Sequence, residues 1–376
     1  MASAADLLAR TTGRPAPRLG LVAPLPPQVG GVASVAEWLL EHQRELEVRY
    51  ETFDLERPQA GVGGRWSVAA ALRQALLVAR FTAWAARAPR VLHFCVSCTP
   101  TGLARDAALL GLARLAGRRA IAHIHGSDLE DAVRSPSRRR LLGVASALAE
   151  ECIALSPSSA ALLGTIGIRA GWIPNPVRLA PTREREQTEG GPLRLLLVGR
   201  YGERKGCFEL VEALARVREG GVDATLELVG REEHPGEEEL LRRRVRARAL
   251  EDSVRFAGVR DRDELAARYF GADVLCLPSR REGLPMAVLE GMAFGLPVLA
   301  TRVGGVADLV EDGRSGYLVD PEDVEGLATR IRDLADGELR LRMGRAAKTR
   351  VNEFAADESI VARWRDLYAV TRREEA

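Results

Sequence analysis

Short apolar, β-branched runs recur along the chain, separated by longer segments in which Ala, Leu and Arg repeat at helical spacing. The first half offers "LGLVA", "LEVRYETF", "VLHFCV", "AIAHIH" and "CIAL" as strands. The second half restarts with "LRLLLVG" and continues through "ATLELVG", "VRFAG", "DVLCLP", "PVLAT" and "GYLV". Near-continuous apolar strands regularly separated by helices predict parallel sheets wound on both faces. Between the two series lies "APTREREQTEGGPLR", residues 180–194, polar and Gly/Pro-containing, which reads as a linker. The pattern predicts two doubly wound domains, 1–180 and 181–357, with ligands expected in the cleft between them, at the carboxyl ends of strands. The tail, 358–376, is an amphipathic helix whose apolar face carries Val361, Trp364, Leu367 and Tyr368.

Composition narrows the class. A chain of 376 residues is too long for one ordinary core. Hydrophobic content of 46% with 28% charge marks a folded, soluble protein. A net charge of +2 gives no field that argues for nucleic acid. The N-terminal stretch has no long apolar segment of the secretory kind, and no run approaches the ~18 apolar residues of a membrane span. Five cysteines, Cys95, Cys98, Cys152, Cys207 and Cys276, sit mostly in apolar strand-like contexts, so reduced thiols and a cytoplasmic location are expected. Basic charge is almost all arginine; Lys205 and Lys348 are the only lysines, which makes Lys205 stand out.

Two segments carry candidate chemistry. In "LLLVGRYGERKG", residues 195–206, a buried strand ends at Gly199 and a Gly-containing loop presents Arg200 and Lys205. Cations just past the end of a parallel strand suit an anionic ligand, although a solvated basic loop has the same composition. In "SRREGLPMAVLEGMAFGLPVLAT", residues 279–301, Pro285 suits the first turn of a helix, Gly295 its C-terminal cap, and Pro297 blocks continuation. The helix amides favour a phosphate. Glu282 is placed to accept from sugar hydroxyls and Glu290 to grip a ribose diol; each alone is equally a solvated acid.

The segment "EGLPMAVLEGMAFGLPVLATRVGGVADLVEDGRSGYLV" resembles the nucleotide-sugar signature of family 4 glycosyltransferases, retaining enzymes of the GT-B fold, with two glutamates separated by seven residues at Glu282 and Glu290. "VGRYGERKG" looks like the Arg and Lys with which that family holds the donor diphosphate, and "VRFAGVRDRDELAARYFGADVLCLPS" resembles the approach to the signature. "APLPPQVGGVASVAEWLLE" is similar to the family's glycine loop, "HIHGSDLED" to its His-containing strand end, and "IPNPV" to its Ile-Pro-Asn-Gly-Val with Pro176 replacing Gly. The resemblance implies an α/β GT-B fold: two Rossmann-like domains, the first binding acceptor and the second nucleotide sugar, facing across a cleft, with the C-terminal helix packing toward the first. It implies that Glu282 binds the sugar, Glu290 the ribose, and Arg200 and Lys205 the diphosphate. Backbone at Gly283, Leu284, Met286 and Ala287 would contact sugar and phosphates, and residues near Val259 would face the base. Gly30 and Gly31 would admit the phosphate side, and His125 would lie at the reacting centre. His125, Arg200, Lys205 and Glu282 are thus the candidate catalytic residues.

The implied reaction is hexosyl or related transfer with retained configuration, without an enzyme nucleophile, metal or other cofactor. Its partners are a nucleotide sugar and a glycan, lipid-linked or small-molecule acceptor. A GT-B nucleotide-sugar epimerase and a non-catalytic nucleotide-sugar sensor are the alternatives. Asp261 and Glu264 in "DRDEL" read as a helix cap rather than metal ligands. "HFCVSC" reads as buried thiols rather than zinc, and the missing G-x-G-x-x-G argues against a dinucleotide oxidoreductase. His123 is expected inside its strand, on the opposite face from His125. Arg73, Arg80 and Arg87 recur every seven residues on an apolar helix. They form either a solvated stripe or, with "SPSRRRLL", a face for peripheral membrane contact.

Overall fold

The computed structural model of the chain describes residues 16–26, 30–55, 68–178 and 191–373. The expectations for 1–15, for 27–29 of the glycine loop and for 180–190 of the linker lie outside the described residues. The chain divides into two compact units, Met1–Pro176 with Asp357–Ala376, and Val177–Ala356.

In the first unit, β1 (Arg18–Ala23), α1 (Gly31–Glu41), β2 (Arg49–Asp54), α2 (Val68–Ala85), β3 (Val91–Ser97) and α3 (Pro100–Leu115) follow one another. Next come β4 (Arg119–His125), α4 (Leu129–Arg134), α5 (Pro136–Leu148), β5 (Glu151–Ala154), α6 (Pro157–Gly164) and β6 (Gly171–Trp172). The strands are parallel in the order β2-β1-β3-β4-β5-β6. Two-residue β6 is too short for any apolar pattern to announce it. Alternation along β3 divides the core. Leu92, Phe94 and Val96 pack with Phe81 of α2, Leu109 of α3 and Leu142 of α5, while His93 and Cys95 take the other face.

His123 and His125 depart from expectation. They share one side of β4, with ring centroids 3.9 Å apart. Residues two apart in a strand point to the same face, so opposite faces would require an odd spacing.

The second unit runs β7 (Leu193–Tyr201), α7 (Cys207–Glu219), β8 (Ala224–Glu232), α8 (Glu237–Ala247), β9 (Val254–Gly258), α9 (Arg262–Gly271) and β10 (Val274–Leu277). It continues with α10 (Met286–Ala293), β11 (Val298–Thr301), α11 (Val306–Leu309), β12 (Gly316–Val319), α12 (Val324–Asp333) and α13 (Gly337–Ala355). The parallel order β12-β11-β10-β7-β8-β9 reverses direction at β7 and β10, the point where doubly wound sheets open a crevice at their carboxyl ends. Both strands that flank this crevice begin pinned together: Arg194 Nε and Nη2 donate to the Asp273 carboxylate at 2.9 Å each.

Two local details bear on the site. Asp261 caps α9, accepting from Glu264 N at 2.9 Å while the Glu264 side chain returns to Asp261 N, so the two form a capping box. Pro285 is the N-cap of α10 with extended backbone rather than part of its first turn; the helix starts at Met286 and is closed by Gly295 at φ +71°.

The last helix, α14 (Asp357–Arg373), packs within the first unit. Ile360, Trp364 and Tyr368 are buried, the Tyr368 hydroxyl meets that of Tyr50 at 2.8 Å, and Arg363 lies over the Trp172 ring.

Candidate functional site

The carboxyl ends of β7 and β10 bring together residues far apart in sequence. Lys205 Nζ lies 2.5 Å from Glu282 Oε1, and the Ser279 hydroxyl donates to the same oxygen at 2.6 Å. The Lys205 and Glu282 side chains are only 12% and 7% exposed, so neither is a solvated loop charge. Ser279 is itself held, its carbonyl accepting from the Thr301 hydroxyl.

The chain here permits an approach that side chains would prevent. Gly206 ends the lysine loop at φ +66°, and a Cβ on it would stand 1.9 Å from the Pro278 carbonyl oxygen. Gly304, at φ +47°, lies so close beneath the glutamate loop that a Cβ would fall 2.1 Å from the Glu282 carbonyl oxygen. Gly305 N then donates to Gly283 O at 2.7 Å.

A brace of arginines joins the same two loops. Arg204 forks onto Glu233, with Nε 2.8 Å from each carboxylate oxygen, and its Nη1 donates to Arg281 O at 3.1 Å. Arg280 N donates to Arg204 O at 2.8 Å. The Arg280 guanidinium bonds Glu203 and Glu209 at 2.7 Å each and pairs with Glu322 at 3.1 Å.

Glu290, one turn into α10, is buried and accepts from the Tyr269 hydroxyl at 3.0 Å. Burial pushes its carboxyl up to about 7, against the downward pull of the Tyr269 bond and of Arg178 and Arg262. Arg200 lies half-buried as the next-to-last residue of β7, with no ion-pair partner among the described residues. Gly283, Met286 and Ala287 are half-buried around the start of α10, Leu284 is buried, and Val259 stands exposed just after β9. Gly30, Gly31 and His125 belong to the first unit: Gly30 caps α1 at φ +155°, Gly31 opens it, and His125 ends β4, buried and level with Ser97.

Sequence reasoning missed Ser279, Tyr269, Arg204 and Arg280. Tyr269 reads as an ordinary apolar position of α9, and in a chain so rich in arginine nothing singles out two of them.

Residues 181–350 match the family model for glycosyl transferases group 1. The chain is 34% identical over 160 residues to the putative colanic acid biosynthesis glycosyltransferase WcaL of Salmonella typhimurium, covering 41% of this chain and 39% of that protein. It is 32% identical over 186 residues to a glycogen synthase of Mycobacterium tuberculosis, covering 49% and 44% respectively. The chain thus spans less than half the length of these curated relatives. Among solved structures it resembles sucrose-phosphate synthase from Thermosynechococcus elongatus, with TM-score 0.76 and 23% identity over 95% of this chain and 100% of that one. Anabaena HepE, in complex with UDP-glucose, gives 0.72 and 19% over 94% and 99%. Those likenesses and the two parallel six-stranded sheets establish the two-domain α/β GT-B fold. The residues that match the group 1 glycosyl transferase model, 181–350, include Lys205, Glu282 and Glu290.

Proposed function

We propose that the chain is a retaining glycosyltransferase that moves a sugar from a nucleoside-diphosphate donor to a glycan, lipid-linked or small-molecule acceptor. The observation that carries this reading is the part-buried Lys205–Glu282 pair at the head of α10, with the buried Glu290 one turn into that helix. A donor has an anionic diphosphate flanked by two sets of hydroxyls. Cation, helix amides and two carboxylates at one strand-end crevice match that sequence of groups. The structure of HepE with UDP-glucose supports a nucleotide-sugar partner.

In this reading Lys205 and Arg200 take the diphosphate and stabilise the charge that develops on it as the glycosidic bond breaks. Their positive charge suits a metal-independent departure. Glu282, released from Lys205 by the phosphates, accepts from the sugar hydroxyls, and Glu290 accepts from both ribose hydroxyls. Amides of Gly283, Leu284, Met286 and Ala287 follow the sugar and phosphates, and Val259 borders the base. The departing phosphate deprotonates the acceptor on the same face, which retains configuration and leaves the protein the task of positioning. On the first unit, His125 is assigned to the reacting centre and Gly30 and Gly31 to the phosphate side. That unit is assigned the acceptor.

Peripheral membrane contact is proposed for α2. Leu72 and Leu76 are 66% and 60% exposed beside exposed Arg73 and Arg80, and the helix carries no acidic residue. Flotation with anionic vesicles tests it; absence of binding at low salt removes the idea.

A thermal-shift screen of nucleotide sugars, followed by transfer assays and NMR of the product anomer, tests the main reading. It expects an α-linked product from an α-linked donor. An epimerised sugar released without acceptor would transfer the assignment to an epimerase.

A further inference from the structure

Against the face of the first sheet opposite Phe94 runs a chain of buried polar groups. The Tyr50 and Tyr368 hydroxyls are 2.8 Å apart. The Tyr368 hydroxyl is 2.8 Å from His93 Nδ1, and His93 Nε2 is 3.1 Å from His123 Nδ1. The His123 ring then lies against His125 at 3.9 Å between centroids. Trp364 covers His93 and His123 at 4.6 and 4.8 Å.

Burial lowers His93 to about 3 and holds His123 well below the usual histidine range, with His125 and His93 adding to the effect. Both imidazoles are therefore neutral, and a neutral imidazole has one N–H and one bare nitrogen. The direction of one bond then dictates the next. Either Tyr368 donates to His93 Nδ1 and His93 Nε2–H donates to His123 Nδ1, or every bond is reversed. In the first case both histidines are protonated on Nε2, in the second both on Nδ1. A mixed pair would set two donors or two bare nitrogens against each other.

We propose that Tyr368, from the C-terminal helix, is a positioning residue for His125, acting through the correlated tautomers of His93 and His123. With the tautomers fixed, the His123 ring has one orientation and stays an uncharged surface against which His125 is held. The proposal rests on the reading of His125 as the residue at the reacting centre. Tyr368 is assigned no donor-binding role, so its loss should act on turnover rather than on donor affinity.

The test uses the full-length protein labelled with 15N-histidine, with long-range 1H–15N spectra to assign tautomers, and donor kinetics. Wild type is expected to show His93 and His123 protonated on the same nitrogen. Tyr368→Phe keeps the ring against Trp364 and removes only the hydroxyl. The His93–His123 bond remains but nothing sets its direction, so both matched tautomer states should be populated, with a roughly tenfold lower kcat and KM for the donor within about twofold. Tyr50→Phe leaves the Tyr368–His93–His123 portion whole and should keep the two tautomers matched. Mismatched tautomers in wild type would overturn the proposal, as would a Tyr368→Phe protein with unchanged tautomers and unchanged kcat. So would one equivalent of bound zinc, because the ligand atoms of His93, Cys95 and His123 lie within 4.8 Å of one another and a metal would take the lone pairs the chain needs. If wild type transfers no sugar, the functional reading fails, while the spectra still decide the chain of bonds by themselves.

Discussion

Lys205 Nζ lies 2.5 Å from Glu282 Oε1, across 77 residues of sequence, and the pair is part-buried at the carboxyl ends of β7 and β10. Removing one member of this part-buried pair leaves the other charge poorly compensated, at a cost of about 1–3 kcal/mol. Lys205→Ala should therefore lower stability in urea titrations. Transfer should fall about 10²–10³-fold, the ordinary penalty for losing a preorganised charge at a leaving group. Lys205→Met combined with Glu282→Gln should recover most of the stability and none of the activity. A single variant with activity within a few-fold of wild type would remove Lys205 from the mechanism.

Glu290 gives a pH signature with a defined sign. Its folded carboxyl titrates at about 7 against an ordinary 4.5, so between those values the folded state holds the proton more tightly than the unfolded chain. Its contribution to stability is full below about 4.5 and is lost as pH rises through about 7, for a total of roughly 3 kcal/mol. Glu290→Gln should remove that slope, and the variant should gain on wild type between pH 5 and 8 in denaturant titrations.

Ligand binding should run the other way. An ionised carboxylate accepts from both ribose hydroxyls, so nucleotide affinity should rise roughly tenfold from pH 6 to 8 in wild type. It should stay flat in Glu290→Gln. Calorimetry in buffers of different ionisation enthalpy should show a proton released on binding near neutral pH.

Gly304 tests whether the glutamate loop is set by backbone contact. Alanine there would add strain at φ +47° and a Cβ 2.1 Å from the Glu282 carbonyl oxygen. Overpacking of that kind costs about 1–3 kcal/mol. Gly313, at φ +76° with nothing within 4 Å of its Cβ position, supplies the comparison. Both alanine variants should lose melting temperature, but only Gly304→Ala should also weaken donor binding.

Arg280 should matter through the loops it joins. Its tie to Glu209, a carboxylate only 12% exposed, contributes about 2 kcal/mol as a charged hydrogen bond, while the exposed Glu203 and Glu322 add little. Arg280→Ala should speed hydrogen exchange over residues 202–206 and raise KM for the donor. Arg280→Lys, which keeps the charge but not the fork, should fall between.

The strands of both sheets except β6 were legible, most plainly the central ones, which are apolar on both faces, so that "LRLLLVG" or "VLHFCV" can hardly be anything else. The Asp261–Glu264 cap was legible for a similar reason: its partners are three residues apart. Glu282 and Lys205 could be nominated, but their union could not, since it depends on β7 and β10 becoming neighbours. Tyr269 was hidden because an aromatic on an amphipathic helix looks like core, and Arg204 and Arg280 because arginine is the chain's default basic residue. Matched tautomers at His93 and His123 depend on the return of α14 to the first unit, which places Tyr368 against β3.

The most direct measurement of the central claim is calorimetric titration of the wild type, Lys205→Ala and Glu290→Gln proteins with the nucleotide sugar that most raises the melting temperature, and with its free nucleoside. The account predicts that Lys205→Ala loses affinity for the nucleotide sugar and keeps its weaker affinity for the nucleoside, whereas Glu290→Gln loses both. Equal affinities in all three proteins would contradict it.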